Sequence, residues 1–437
     1  MIELFVRTIA DNNEIEIRSR LVWICILSAV GMYFGITNNI FVMFVLILNI
    51  MSLFVLNMHE IFCELMFLLP FTTIYKMSPA STSFFTYFSL ITVVRFITKG
   101  HKIPRNILIT ILLFAVATFE GAEGTVTDFI KIISNILLFS VFVRTARRKM
   151  HANLILSLSY GEIVTSIIGL RKTTWPALSA FFDNMKEEYI GLEKIARFTG
   201  LYRDPNYYSI MISLCIFGVL LFVYLKEIKL LKGVSVFCAL IVFGCMTYSR
   251  LFYLSLLALL CVFVIVRLKN RKYISTLFLV IGFSVAFLIV ANKYGVIEKI
   301  MFRFGVDDVS NGRLELWRLY FDEIKNASLL KQLFGNGLEA DLIKGYGSHN
   351  FWIECLYHLG IIGSILYFYS ITSIIKARVQ PFFKRRILNY SSLLVTMAMF
   401  TTLGMLFQFD FIYILMINWI YMNTDIKRNR LGYGECQ

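Results

Sequence analysis

Residues 347–363 read GSHNFWIECLYHLGIIG, and the fold turns on how that stretch is understood. A short polar step, Ser348, His349 and Asn350, passes directly into an apolar run that continues to Ile375. Wound as a helix at about 1.5 Å per residue, such a run covers a hydrocarbon core of roughly 30 Å. The polar step then lies where a water-exposed loop meets a membrane helix. Side chains at that place can reach both an aqueous sugar and a lipid-borne head group.

The rest of the chain has the same character. Of 437 residues, 58% are hydrophobic and 16% charged, far from the usual shares of soluble domains. The apolar residues come in runs at 21–36, 40–57, 61–75, 84–98, 106–119, 126–143, 152–170, 207–225, 233–248, 251–266, 273–291, 351–375, 387–404 and 406–423. None alternates with the period of two that a barrel strand needs, so the backbone must satisfy itself within helices. The expected fold is an all-α polytopic membrane protein of about 12–14 transmembrane helices.

The formal net charge of +15 invites a nucleic-acid reading, but the basic residues sit in short separate loops. Lys99, Lys102 and Arg105; Arg144, Arg147, Arg148 and Lys149; Lys226, Lys229 and Lys232; Arg267, Lys269, Arg271 and Lys272; and the groups around Arg385 and Arg428 all fall on one side if the spans alternate. That side is the cytoplasm, together with Glu60 and Glu64 among its acids, and both termini are expected there. The first span follows Arg18 and Arg20 without a small-residue cleavage site, so it reads as a retained helix. Scattered loops make no continuous basic surface, and nucleic acid is excluded as a partner.

Alternation places two long polar segments outside, 171–206 and 292–350, and divides the chain accordingly. Residues 1–170 are N-terminal helices, 171–206 an extracytoplasmic loop, 207–291 central helices, 292–350 the large extracytoplasmic loop, and 351–437 C-terminal helices with a cytoplasmic tail. Every cysteine except Cys436 lies in an apolar span, so neither disulfides nor a cysteine metal site is expected. Asp307 with Asp308, or Glu339 with Asp341, has the chemistry for Mg²⁺, but charge balance in a solvated loop accounts for them, and no metal or other cofactor is expected.

Four places near the outer surface carry candidate chemistry. Arg203, Asp204, Pro205 and Asn206 form a turn before a span, where Asp204 and Asn206 suit helix capping as well as substrate binding, with Asn206 capping a helix from Tyr207. Arg250 stands between two apolar runs on the outer side, where it either snorkels or meets an anion. Arg313 opens the amphipathic stretch RLELWRLYFDEIKN, expected to lie along the membrane surface with Ser310 or Asn311 as its cap. A cation there opposes the helix dipole, which favours an anionic ligand over a purely structural role. His349 is the fourth. His358, nine residues and about 13 Å further along, reads as packed polar residue, and Glu162 as a buried acid with no partner evident from sequence.

Taken in order, these residues resemble the O-antigen ligase and O-antigen polymerase superfamily. His349 and Asn350, followed by Gly360 and Gly363, fit H-[NSQ]-x9-G-x-x-[GTY]. Arg250 in TYSR resembles that family's arginine at the end of a periplasm-facing helix, Arg313 in NGRLELW its G-R-x-x-x-[WY] arginine, and LYRDPNYYS a segment common in the polymerase branch. The resemblance implies a GT-C-like architecture with short amphipathic helices in the large loop. It also implies transfer from a polyprenyl-diphosphate-linked oligosaccharide, with Arg250 and Arg313 at the diphosphate and Arg203 as a further contact. His349 is then the base, or an orienting group, and Asn350 a substrate contact. The implied setting is the bilayer of a bacterial inner membrane, with a chain-length regulator as a possible partner. A ligase differs only in its acceptor. A transporter or flippase is the reading from another class, but the internal polar residues Glu162, Arg95 and His358 make no repeat of the kind transporters show.

Overall fold

A computed structural model describes residues 19–100, 102–105, 107–109, 111–113, 126–182, 188–190, 193–195, 197–269, 312–338, 343, 347–376, 391–404 and 409–424, with scattered positions between 281 and 298. Most of the 273–291 run, part of 106–119, the loops around Arg385 and Arg428, Ser310, Asn311, Asp307, Asp308, Glu339 and Asp341 lie outside the described residues.

The described elements are helices α1 (Ser19–Gly35), α2 (Asn39–Val55), α3 (Met58–Leu68), α4 (Phe84–Thr98), α5 (Val126–Thr145), α6 (His151–Gly169) and the single turn α7 (Pro176–Ser179). There follow strands β1 (Glu188–Ile190) and β2 (Glu193–Ile195), then α8 (Pro205–Tyr224), α9 (Leu230–Cys245), α10 (Arg250–Lys269), α11 (Arg313–Asn326) and α12 (Leu329–Phe334). The chain closes with α13 (Phe351–Lys376), α14 (Ser391–Met399) and α15 (Phe409–Met422). Three helices, over His151–Gly169, Pro205–Tyr224 and Phe351–Ile375, are long and apolar enough to cross a membrane, and several shorter apolar helices accompany them.

Large apolar side chains remain uncovered on α1 and α2, among them Trp23, Ile40, Ile47 and Phe54. Water would penalise such faces by roughly 25 cal/mol per Å², whereas lipid covers them at no such cost. With the apolar helices, this makes the chain a membrane protein. Within α1, Gly31 and Gly35 lie one turn apart and face Val45 and Val42 of α2 so closely that neither has space for a Cβ. Close backbone approach of this kind is what holds helices together where lipid and side chain are equally apolar.

Several local expectations change. The all-α fold carries one exception among the described residues, an antiparallel hairpin in the 171–206 loop that pairs Glu188 with Ile195 and Ile190 with Glu193. The 61–75 run is shorter as a helix than its apolarity suggests. Asn57 and Glu60 close a capping box at the start of α3, and Pro70 belongs to a 3-10 turn at its end. Glu64, counted among the loop acids, is fully buried, accepting from Asn49 Nδ2 at 2.7 Å and Ser52 Oγ at 2.6 Å, while the Tyr75 hydroxyl donates to Asn49 Oδ1 at 2.8 Å. A carboxylate hidden from water needs such donors, so its cost is shared by residues from three segments.

The core gathers around α8, which packs against α6, α9, α10 and α15. Its tight start is written locally. Asp204 is the cap, its carboxylate accepting from the Asn206 N–H at 2.6 Å, and Pro205 fills the first helical position, where no N–H is needed. Helix α8 therefore begins two residues before Tyr207, and Asn206 is inside it rather than its cap.

Candidate active site

Asn206 is freed from capping for a tertiary role. Its side-chain oxygen accepts from Ser249 Oγ at 2.8 Å and from Arg197 Nη2 at 3.3 Å, and Arg197 also donates from Nε to the Thr247 carbonyl at 3.2 Å. The Asp-Pro-Asn turn is thus fastened to the Thr-Tyr-Ser-Arg turn, whose last member, Arg250, is the first residue of α10. Tyr248 within that turn holds φ at 47°, a left-handed conformation that is costly for an aromatic residue. The Asp204 carboxylate is committed to its cap, and Arg203 beside it is exposed.

The adjacent residue extends the connection in the opposite direction. The Tyr207 hydroxyl donates to the carbonyl of Gly404, and Gly404 faces the carboxylate of Glu354 on α13. A Cβ added at Gly404 would stand 2.9 Å from Glu354 Oε2 and 2.5 Å from its Cδ, so only glycine leaves the carboxylate its place.

Helix α13 starts as the sequence suggests. Asn350 Oδ1 accepts from the N–H groups of Trp352 and Ile353 at 3.0 and 3.3 Å, a cap of about 1 kcal/mol. The residue expected to touch substrate therefore spends its carbonyl oxygen on the helix. His349 before it is half-buried and has φ at 50°. A non-glycine residue in that region costs about 1–3 kcal/mol, an expense that structures retain mainly where a side chain must be aimed.

Arg313 opens α11, which docks on this same turn. The cap is Gly312, with φ at 74° and no side-chain hydrogen bond, so neither Ser310 nor Asn311 holds the cap position. Trp317 Nε1 donates to the Ser348 carbonyl at 2.9 Å, and Tyr320 packs edge-on against Tyr357 of α13 with ring centroids 5.0 Å apart. Leu316, Trp317, Tyr320 and Ile324 are the face turned to α13, whereas Leu314 and Phe321 remain exposed. Burial pushes the Tyr320 hydroxyl pKa up, and the nearby Tyr357 and Glu354 add to it.

The glycine of the signature has a structural reason. Helix α13 is interrupted at Gly360, where φ is 64° and ψ −172°. The loop after α12 fills the break: Asn336 N–H donates to the Tyr357 carbonyl at 2.9 Å, Gly337 N–H to the His358 carbonyl at 3.2 Å, and His358 Nδ1 lies 2.9 Å from the Gly337 carbonyl. His358 is indeed a packed polar residue, joined to a loop rather than to a neighbouring helix. The apolar run 351–375 is therefore two helical segments with a latch between them.

Glu162 gains the partner that sequence did not name. The Tyr202 hydroxyl donates to its Oε1 at 2.6 Å. Beside it, Lys172 reaches Thr199 Oγ1 at 2.5 Å and the Tyr202 carbonyl at 3.0 Å, and burial lowers its pKa to about 7. These buried groups hold the backbone of the loop that leads into Asp204. Among the described residues no group of three or more His, Cys, Asp or Glu is placed to hold a metal ion.

The tertiary structure thus ties the four motif segments into one continuous set of contacts. Asn206 joins the Arg250 turn, Tyr207 and Gly404 lead to Glu354, and Trp317 joins the Arg313 helix to the His349 turn. Sequence reading passed over Arg197, Tyr207, Ser249, Glu354 and Gly404. Glu354 alone gave a signal, as a charge inside a span. No curated protein and no solved structure is significantly similar to the chain. A family model described as O-antigen ligase matches residues 234–368, which contain Arg250, Arg313, His349 and Gly360, so this part of the chain is similar to that family.

Proposed function

We propose that this protein is a glycosyltransferase that polymerises polyprenyl-diphosphate-linked oligosaccharide repeat units into a bacterial surface polysaccharide, on the outer face of the inner membrane. The observation that carries this reading is the set of contacts through Asn206, Tyr207 and Trp317, which fastens the segments bearing Arg250, Arg313 and His349 to one another. A hydroxyl of the acceptor sugar bonds to the anomeric carbon as the bond from that carbon to the diphosphate oxygen breaks. The diphosphate leaves with the electron pair, and the configuration inverts.

Such a leaving group needs charge neutralisation more than a proton. Planar guanidinium forks match phosphate oxygens, so Arg250 and Arg313 hold the diphosphate, and the exposed Arg203 meets it from the edge. His349 accepts the hydroxyl proton, imidazole being the side chain whose ordinary protonation change lies closest to physiological pH. The pH profile of His349→Gln checks this: the acidic limb of the wild-type profile should disappear. An acidic limb that survives in the variant removes His349 as the titrating base.

No step uses a metal ion, and turnover is expected to be unchanged in excess EDTA, measured as product per minute. Loss of activity that Mg²⁺ restores would bring outer-loop carboxylates into the mechanism.

Transfer to lipid A core or protein is the second reading, favoured by the description of the matching family. Polymerisation is preferred because the Asp-Pro-Asn segment resembles one common in the polymerase branch, and Asn206 within it accepts from Ser249 beside Arg250. Purified protein given a defined lipid-linked repeat alone should yield a ladder of products. Product that forms only when lipid A core is added would establish ligation instead.

A further inference from the structure

Glu354 is one of the unspecified positions of the His349 signature, yet its carboxylate faces Gly404, whose carbonyl accepts from Tyr207. With Asn350 as the cap of α13, His349 is the residue before the cap and Glu354 the fourth residue inside the helix. Side chains at those two places meet across the start of a helix, commonly as an apolar pair that fixes how the chain enters. Here the pair is an imidazole and a carboxylate.

Helical side chains lean toward the N-terminus, which directs the Glu354 carboxylate back over the 347–350 turn. Its Oε1 lies 3.7 Å from where a Cβ on Gly347 would be, and the missing side chain of Gly404 leaves the carboxylate room. The left-handed backbone of His349 aims a costly residue in the same neighbourhood.

We propose that Glu354 is a positioning residue for His349, its carboxylate holding one ring nitrogen so that the other faces the acceptor hydroxyl. This rests on the glycosyl-transfer reading of the site. When the acceptor oxygen bonds to the anomeric carbon and the diphosphate departs with its electron pair, the hydroxyl proton moves to the exposed ring nitrogen. The Glu354 carboxylate balances the imidazolium, the part an aspartate plays beside the histidine of hydrolase triads. The other titratable or charged groups on the elements around this turn are Tyr320, Tyr357, Tyr207 and Arg313.

The plain alternative is that an acidic residue in the first turn merely complements the helix dipole. Two measurements separate these. With the lipid-linked repeat as substrate, Glu354→Gln should lower kcat by about a hundredfold with KM within about twofold, and move the acidic limb down by about one pH unit, since an opposite charge no longer favours the protonated ring. Glu354→Asp should recover part of the loss, and Gly404→Ala, which displaces the carboxylate, should resemble the glutamine variant.

The second measurement needs no turnover. The titration of His349 in histidine-labelled protein by NMR, its signal assigned by its loss in His349→Gln, should move to lower pH in Glu354→Gln. An unmoved titration with an unmoved acidic limb overturns the pairing. Wild-type protein that forms no glycosidic product, but whose His349 titration still moves with Glu354→Gln, overturns the transfer reaction and leaves the pair standing.

Discussion

Arg313→Ala and Arg250→Ala are each expected to lower chain elongation by at least about a hundredfold, while lipid-linked repeat units still reach the outer leaflet. The magnitude follows from what a preorganised cation contributes to a developing charge in a site from which water is partly excluded, on the order of 2.7–4 kcal/mol for a single donor. Arg313 opens α11 over a glycine cap, at the end of the helix dipole that disfavours a cation. Lysine at either position should restore only a small part of the activity, because an ammonium cannot reproduce the bidentate fork. If both arginines grip one diphosphate, the double variant should lose less than the product of the two single losses. Measuring elongation from purified lipid-linked repeat, with surface labelling of the repeat in cells, checks all of these. An arginine whose loss leaves the ladder intact has no place at the diphosphate, and loss of surface repeats would point to transport instead.

Gly360→Ala is the second large effect, and it acts on the fold. At φ 64° an alanine is strained, and its Cβ would stand 2.5 Å from the Leu333 carbonyl oxygen and 2.6 Å from its carbon. The loop cannot retreat cheaply, because Asn336 and Gly337 donate to the carbonyls of Tyr357 and His358 at the break. Strain and lost hydrogen bonds together should cost about 3 kcal/mol or more, seen as a lower thermal midpoint of the detergent-solubilised protein. Gly363, the other glycine of the signature, has an ordinary backbone and would meet only the Leu359 side chain, at 2.9 Å, so Gly363→Ala should be much milder. Equal midpoints for the two alanine variants would mean that the latch does not hold the helix.

The latch matters to the chemistry as well. Helix α12 and its loop connect the Arg313 helix to the interrupted α13, at whose start His349 lies. One arginine and the histidine are therefore set by the same short stretch of structure. Some activity loss in Gly360→Ala is expected to accompany the loss of stability.

The sequence by itself determined what depends on neighbours along the chain. Apolar runs decided the helices, as in α6, α8 and α13, because the length and hydropathy of one segment are enough to specify a membrane helix. Local chemistry likewise specified the turn at Asp204 to Asn206 and made the order of Arg250, Arg313, His349 and Gly360 legible. Tertiary structure alone decided which of these segments touch. Asn206 looked like a cap and is a tether, since Asp204 was the better placed acceptor. Glu64 read as a solvated loop acid and is buried, because donors from Asn49 and Ser52 permit it. Glu354 and Gly404 gave no joint signal at a separation of fifty residues, and the break at Gly360 was hidden because hydropathy runs across it unchanged. A carboxylate's meaning lies in what surrounds it, and those surroundings come from distant parts of the chain.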